Sequence, residues 1–240
     1  MLFWLLVWQL GSMAVSSEIL LVGPVKVVQT LLGLVGEGVF WRSVGFSLRR
    51  IFGGFLLAAF LGSLLAALAS RFRVIRELLS PLMLTVRTVP VASFIILALI
   101  WFSSKNLSVL ISFLMVLPII YTGVLTGIAQ RDARLQEMAR VFRARSTHRL
   151  LMLDLPQVYP YFRSACKTAL GLAWKSGIAA EVIGMPKGSI GEHLQQAKVY
   201  LDTPSLFAWT VVIVLISLLC EQAVVHLLDA GMGLVRRWKG

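Results

Sequence analysis

The chain has 240 residues, 58% of them hydrophobic and 14% charged, with a mean hydropathy of +0.84. That composition excludes a soluble globular domain and describes a polytopic membrane protein. A formal net charge of +12 raises nucleic acid as a partner, but most of the Lys and Arg fall on one side of the topology below. The positive-inside bias of membrane proteins accounts for them without a nucleic acid. No successive ten-residue blocks alternate with period two, which argues against a transmembrane barrel. The expected fold is all-α, a single transmembrane domain over residues 1–240. At roughly 20 residues per span it holds about six helices, with a core at about 46–228.

Met1 to Val15 is apolar with no Lys or Arg before it, so it reads as a retained first span, although Ser12, Ala14 and Ser16 are spaced as in a cleavage site. Pro24 can start a short helix over Val25 to Leu34, and Gly33, Gly36 and Gly38 then loosen the chain. The second span runs Phe46 to Ser70. Its Gly54, Ala58, Gly62, Ala66 and Ser70 recur every four residues, which makes one flat face for close helix contact. Arg71, Arg73 and Arg76 mark its cytoplasmic end. Pro81 to Phe102 holds the third span, with Arg87 snorkelling or pairing with a neighbouring helix. Leu107 to Ala129 is the fourth, with a kink expected at Pro118 and small residues at Gly123 and Gly127. Ser164 to Ile183 is the fifth, and Ala165, Ala169, Ala173 and Gly177 form another small-residue row. Ser189 and Glu192 read as a capping box for a helix over Ile190 to Tyr200. Leu206 to Leu228 is the sixth span, and Arg236, Arg237 and Lys239 close the chain. Six spans place both termini in the cytoplasm with all the basic clusters.

Between spans four and five lies a basic island, Glu137 to Pro160. It contains Arg140, Arg143, Arg145 and Arg149, and Arg131 and Arg134 precede it. Leu135, Met138, Ala139 and Phe142 make one apolar stripe on a short helix. A second apolar run, Leu150 to Leu155, is stopped by Pro156, with Pro160 four residues on. Such a helix either lies on anionic lipid or fills a groove on a partner. The stretch resembles the EAA loop of ABC-importer permeases: E-A-A, three residues, G-A, eight residues, I-x-L-P. Glu137, Ala139, Ala144, Leu155 and Pro156 match in register. Met138 stands at the second position, Arg143 replaces the glycine and Leu153 the isoleucine. The family glycine would supply a left-handed backbone position, which Arg143 fits poorly. Either the turn differs here or Arg143 reaches an acidic group on the partner.

The resemblance extends from about Ser47 to the end and is closest to the nitrate/sulfonate/taurine-type branch. It rests on Ser47-Leu48-x-Arg50 with Gly54-Phe55, Arg87-x-Val89-Pro90, Pro118 with Thr122 and Thr126-Gly127-Ile128, and Ala139-Arg140. Ala173-Trp174 with Ala180-Glu181, and Gly188 to Gly191 with Ala197, Asp202 and Leu206-Phe207-Ala208, complete it. What it implies is an inner-membrane permease working as a homodimer. Two ATPase subunits would dock on the loops, an extracytoplasmic solute-binding protein would deliver a small anion, and ATP would bind only on the partner.

The residues agree with a non-catalytic subunit. The sequence has no G-x-x-x-x-G-K-[ST] loop, H-E-x-x-H, paired-cysteine site or G-x-S-x-G elbow. His148, His193 and His226 are far apart, and Cys166 and Cys220 read as small buried apolar residues. Lys175 and Glu181, ionisable within a span, are the candidates for a translocation path, with Glu181 near the outer interface. An ion-coupled secondary transporter or channel is the alternative, and it would want more mid-membrane charge. An integral-membrane enzyme would want a His, Asp or Cys cluster.

Overall fold

The computed structural model describes residues 2–15, 21–143 and 145–237; Ser16, Ala144 and Lys239 lie outside them. The chain is helical: α1 (Leu2–Val15), α2 (Pro24–Val35), α3 (Gly38–Arg71), α4 (Arg73–Thr88), α5 (Val91–Trp101), α6 (Ser104–Ala129), α7 (Ala133–Val141), α8 (Ser146–Arg149), α9 (Leu155–Gly184), α10 (Ile190–Val199) and α11 (Thr203–Arg237). A π-helical turn, Leu150–Asp154, joins α8 to α9.

The core forms where small residues let α3, α6 and α9 touch. Gly54, Ala58, Gly62 and Ala66 on α3 are all buried. A Cβ on Gly54 would lie 2.5 Å from the Val109 carbonyl oxygen of α6, and one on Gly62 3.1 Å from Ile120. A Cβ on Gly123 of α6 would lie 2.5 Å from that of Ala165 on α9. The two four-residue rows are therefore contact ridges, as expected. Gly54→Ala is expected to push α3 off α6 and cost about 1–3 kcal/mol, because the obstacle is backbone rather than a movable side chain. A thermal melt of the purified protein reads it, and an unchanged midpoint would refute the packing.

Several element boundaries differ from expectation. Helix α3 starts eight residues before Phe46, because Phe40 and Ser43 are buried, with Phe40 stacked on Trp209 of α11. The third span is not one helix. Val89 is extended (φ −74°, ψ 133°), and α4 and α5 meet at 106°. Pro90 lacks the amide donor and disfavours helical backbone at the preceding residue, so the break falls there. Pro156 does not stop a helix. It sits in the first turn of α9, where no amide donor is needed, and Pro160 lies inside. The fifth span thus begins nine residues before Ser164.

Gly38–Arg71, Ser104–Ala129 and Thr203–Gly233 are long and apolar enough to cross a membrane, and the bent α4–α5 pair makes a possible fourth crossing. Helix α9 has the length, 30 residues, but carries Arg163, Lys167, Lys175 and Glu181. Helix α1, at 14 residues, covers only about 21 Å. By length and composition alone, three helices and the bent α4–α5 pair pass as crossings among the described residues, within an all-helical membrane fold of the expected kind. The C-terminal ends of α3 and α6 and the start of α9 gather at one end of the bundle, where Ser70, Arg76 and Arg131 line one cavity. There Arg163 grips Asp229 of α11 with two bonds, 2.7 and 2.9 Å, beside a Tyr159–Asp229 bond.

Candidate functional site

The basic island is at that end, and it folds around one carboxylate. Asp132 caps α7 by accepting the Arg134 amide at 2.8 Å, while its own amide donates to Gln157 of α9 at 2.7 Å. Asp154, at the end of the π-helical turn, accepts from Arg131 at 2.8 Å and from Gln136 at 2.7 Å. Arg149 donates to the Gln136 side-chain oxygen at 2.9 and 2.5 Å and approaches the second Asp154 oxygen at 4.0 Å. One acidic group thus ties the base of α6, α7, α8 and the root of α9.

The wide turn explains why Asp154 can do this. The Leu155 amide bonds back to the Leu150 carbonyl, a five-residue step that turns Asp154 toward α7. Hydropathy gave no hint of it, and the polar hub of Gln136, Asp154 and Gln157 went unread for the same reason: each residue is unremarkable alone.

Three of the four residues of the expected apolar stripe face outward, and the fourth, Ala139, is buried. In α7 the buried residues are Gln136 and Ala139. Leu135, Met138, Val141 (72% exposed) and Phe142 (78%) point away, as do Leu150, Leu151 and Leu155. Glu137, Arg140 and Arg143 are exposed beside them, Leu153 and Pro156 are half-buried, and Ala144 lies outside the described residues. The surface is an apolar ridge fringed with charge, with its underside tied down. Arg143 adopts the left-handed backbone itself, at φ +50°. The left-handed position that the resemblance implied is therefore present, and the arginine accepts a conformation that costs roughly 1–2 kcal/mol without glycine.

Lys175 and Glu181 are not brought together. Lys175 is exposed on α9. Glu181 is not at an interface: it is 0% exposed. Ser47 of α3 donates to its Oε2 at 2.6 Å, the Gly191 amide approaches the same oxygen at 3.4 Å, and the Ile190 amide donates to Ser47 at 3.0 Å. A carboxylate inside the bundle needs such donors, and here they come from Ser47 of α3 and from Gly191 in the first turn of α10. One arm of the capping box forms, the Ser189 hydroxyl accepting the Glu192 amide at 3.0 Å, while the Glu192 carboxylate accepts the amide of Gly188, one residue before the cap. His193 stacks on Trp209 with centroids 4.9 Å apart and lies 2.9 Å from Ser43. Burial pushes its pKa down, against the pull of Glu192 and Glu37, so the ring is neutral at physiological pH.

Among the described residues no group of three or more His, Cys, Asp or Glu could hold a metal. The loop thus presents an exposed apolar ridge over a polar hub, carried on an apolar helical bundle. Residues 43–233 match the family model described as "Binding-protein-dependent transport system inner membrane component".

The chain belongs to this family. It is a multi-pass membrane protein and the permease subunit of an ABC importer. It is 29% identical over 221 residues to SsuC of Bacillus subtilis, a candidate aliphatic sulfonates transport permease (91% of this chain, 79% of that one). It is 25% identical over 220 residues to the taurine transport system permease protein TauC of Escherichia coli (89% and 80%). The bicarbonate transport system permease protein CmpB of Synechococcus elongatus is 27% identical over 192 residues (75% and 68%). Membership of the family implies an ATPase and a solute-binding protein as partners.

Proposed function

We propose that this permease passes a small anion, of the sulfonate, taurine or bicarbonate type, through a path built with a second copy of itself. Two ATPase subunits dock on the α7–α8 ridges, a solute-binding protein delivers the anion at the opposite end, and both termini face the cytoplasm. The exposed ridge over the Asp154 hub carries the proposal, because a stiffly anchored ridge transmits the partner's motion to α6 and α9 directly. In this assignment Glu137, Ala139, Arg140, Arg143, Ala144, Leu153, Leu155 and Pro156 form the docking loop. Lys175, exposed on α9, faces the path, and Glu181 instead holds α10 on the bundle. The chain needs no cofactor of its own, since ATP binds on the partner. The anion class is supported by the solutes named for SsuC, TauC and CmpB.

The test is co-purification of the tagged chain with its ATPase. Glu137→Arg combined with Pro156→Ala should abolish the complex while membrane insertion is kept. A complex of unchanged stability would remove the loop from this role. Binding of both proteins to anionic vesicles but not to each other would assign the ridge to the lipid surface.

A further inference from the structure

At the loop end of the bundle two arginines line one cavity and lack acidic partners among the described residues. Arg76, Ser80, Met83 and Arg87 recur at i, i+4, i+7 and i+11 of α4, so they share one face. That face meets Tyr121, Thr122 and Leu125 of α6 across a cavity of about 290 Å³. Arg87 is held in place by donating to the Thr122 hydroxyl at 2.8 Å, and that hydroxyl in turn donates to the Pro118 carbonyl at 2.7 Å. The one carboxylate on α4, Glu77, is taken by Arg73 at 2.7 Å. Neither Arg76 nor Arg87 has a carboxylate within ion-pair distance among the described residues. A second cavity, of about 320 Å³, shares Arg76 and Leu125 with the first and extends to Arg131, which Asp154 already holds.

Both guanidinium groups line the one cavity, and each offers a fork of N–H donors matched to a tetrahedral or planar oxyanion. The lining adds two hydroxyls, from Ser80 and Tyr121. The volume is at the lower edge of the roughly 300–1,000 Å³ of drug-sized sites, which suits a small anion. We propose that the α4–α6 cavity is an oxyanion-binding site, with Arg76 and Arg87 as the charged ligands and Thr122 as the group that positions Arg87. This rests on the proposed function for the anion class it names, and it adds a definite station on the ATPase side of the bundle. The neighbouring cavity gives the bound anion a route of contact to the Arg131–Asp154 hub.

The probe is ethanesulfonate, titrated calorimetrically into the full-length chain in nanodiscs of phosphatidylcholine, without the ATPase or a binding protein. Saturable binding is expected. Arg76→Gln and Arg87→Gln should each weaken it at least about tenfold, and Lys105→Gln should leave it unchanged. Ser80→Phe, which fills the cavity and keeps both charges, should also abolish it, and so guards against a misfolded arginine variant. No ethanesulfonate binding, together with phosphatidylglycerol retained by the wild type in native mass spectrometry and lost from both arginine variants, would still support an oxyanion site and assign its ligand to a lipid headgroup. Binding unaffected by the three cavity substitutions, or neither ligand bound by a folded wild type, overturns the proposal. Because no ATPase is present, such a failure leaves the docking loop standing, and loss of the ATPase complex would leave this site standing.

Discussion

Asp154→Ala should leave the permease inserted and folded but strip it of its ATPase. The carboxylate accepts from Arg131 and Gln136 and faces Arg149, and its side chain is only 14% exposed. Its removal leaves two arginines and an amide without their shared acceptor, at a local cost of about 2–4 kcal/mol. The loss falls on α7 and α8 rather than on the α3–α6–α9 core, whose contacts are apolar and lie elsewhere. Association with the ATPase should fall at least about tenfold, while the melting of the bundle changes little. Asp154→Asn, which keeps one acceptor oxygen, should fall between. Affinity measured by pull-down at graded ATPase concentration separates the cases. Wild-type affinity in Asp154→Ala would show that the hub does not shape the docking ridge.

Gly191→Ala is the largest stability effect expected. A Cβ there would overlap the Cβ and carbonyl carbon of Glu181 and the amide nitrogen of Val182. Backbone cannot step aside as a side chain can, so α10 must lift from α9. The chain of bonds from Ile190 to Ser47 to Glu181 then breaks, and the fully buried carboxylate loses its donors. Overpacking and the unsatisfied buried group together imply about 3 kcal/mol or more. The observable is a fall of several degrees in the melting midpoint, with new proteolytic cleavage between Gly184 and Leu206. Gly171→Ala is the contrast: nothing lies within 4 Å of a Cβ there, and replacing a mid-helix glycine should gain up to about 1 kcal/mol. Equal effects at the two positions would refute the packing between α9 and α10.

Much of the architecture was legible because it depends on local chemistry. The start of α2 at Pro24, the capping box at Ser189 and the four-residue ridges of α3 and α9 each follow from the residues that form them. The register of the docking loop was also visible, since the positions of Glu137 and Pro156 are a matter of spacing. Its orientation was not. The stripe of Leu135, Met138 and Phe142 identifies a helix with an apolar side, but an amphipathic pattern does not say whether that side turns to the bundle or to a partner. The structure turns it outward and puts Gln136 inside, because Asp154 is there to receive it.

The sequence by itself determined that this chain is helical, membrane-embedded and a permease, since hydropathy, small-residue spacing and motif register are properties of the chain read in order. Only the tertiary structure decided the outward turn of Leu135, Met138 and Phe142, the burial of Glu181 beneath α10 and the meeting of Arg76 and Arg87 on one cavity. Each of these depends on which faces of which helices cover one another. A carboxylate or an arginine looks the same in sequence whether it faces lipid, water or three donors from other helices, and its chemistry is set by those neighbours.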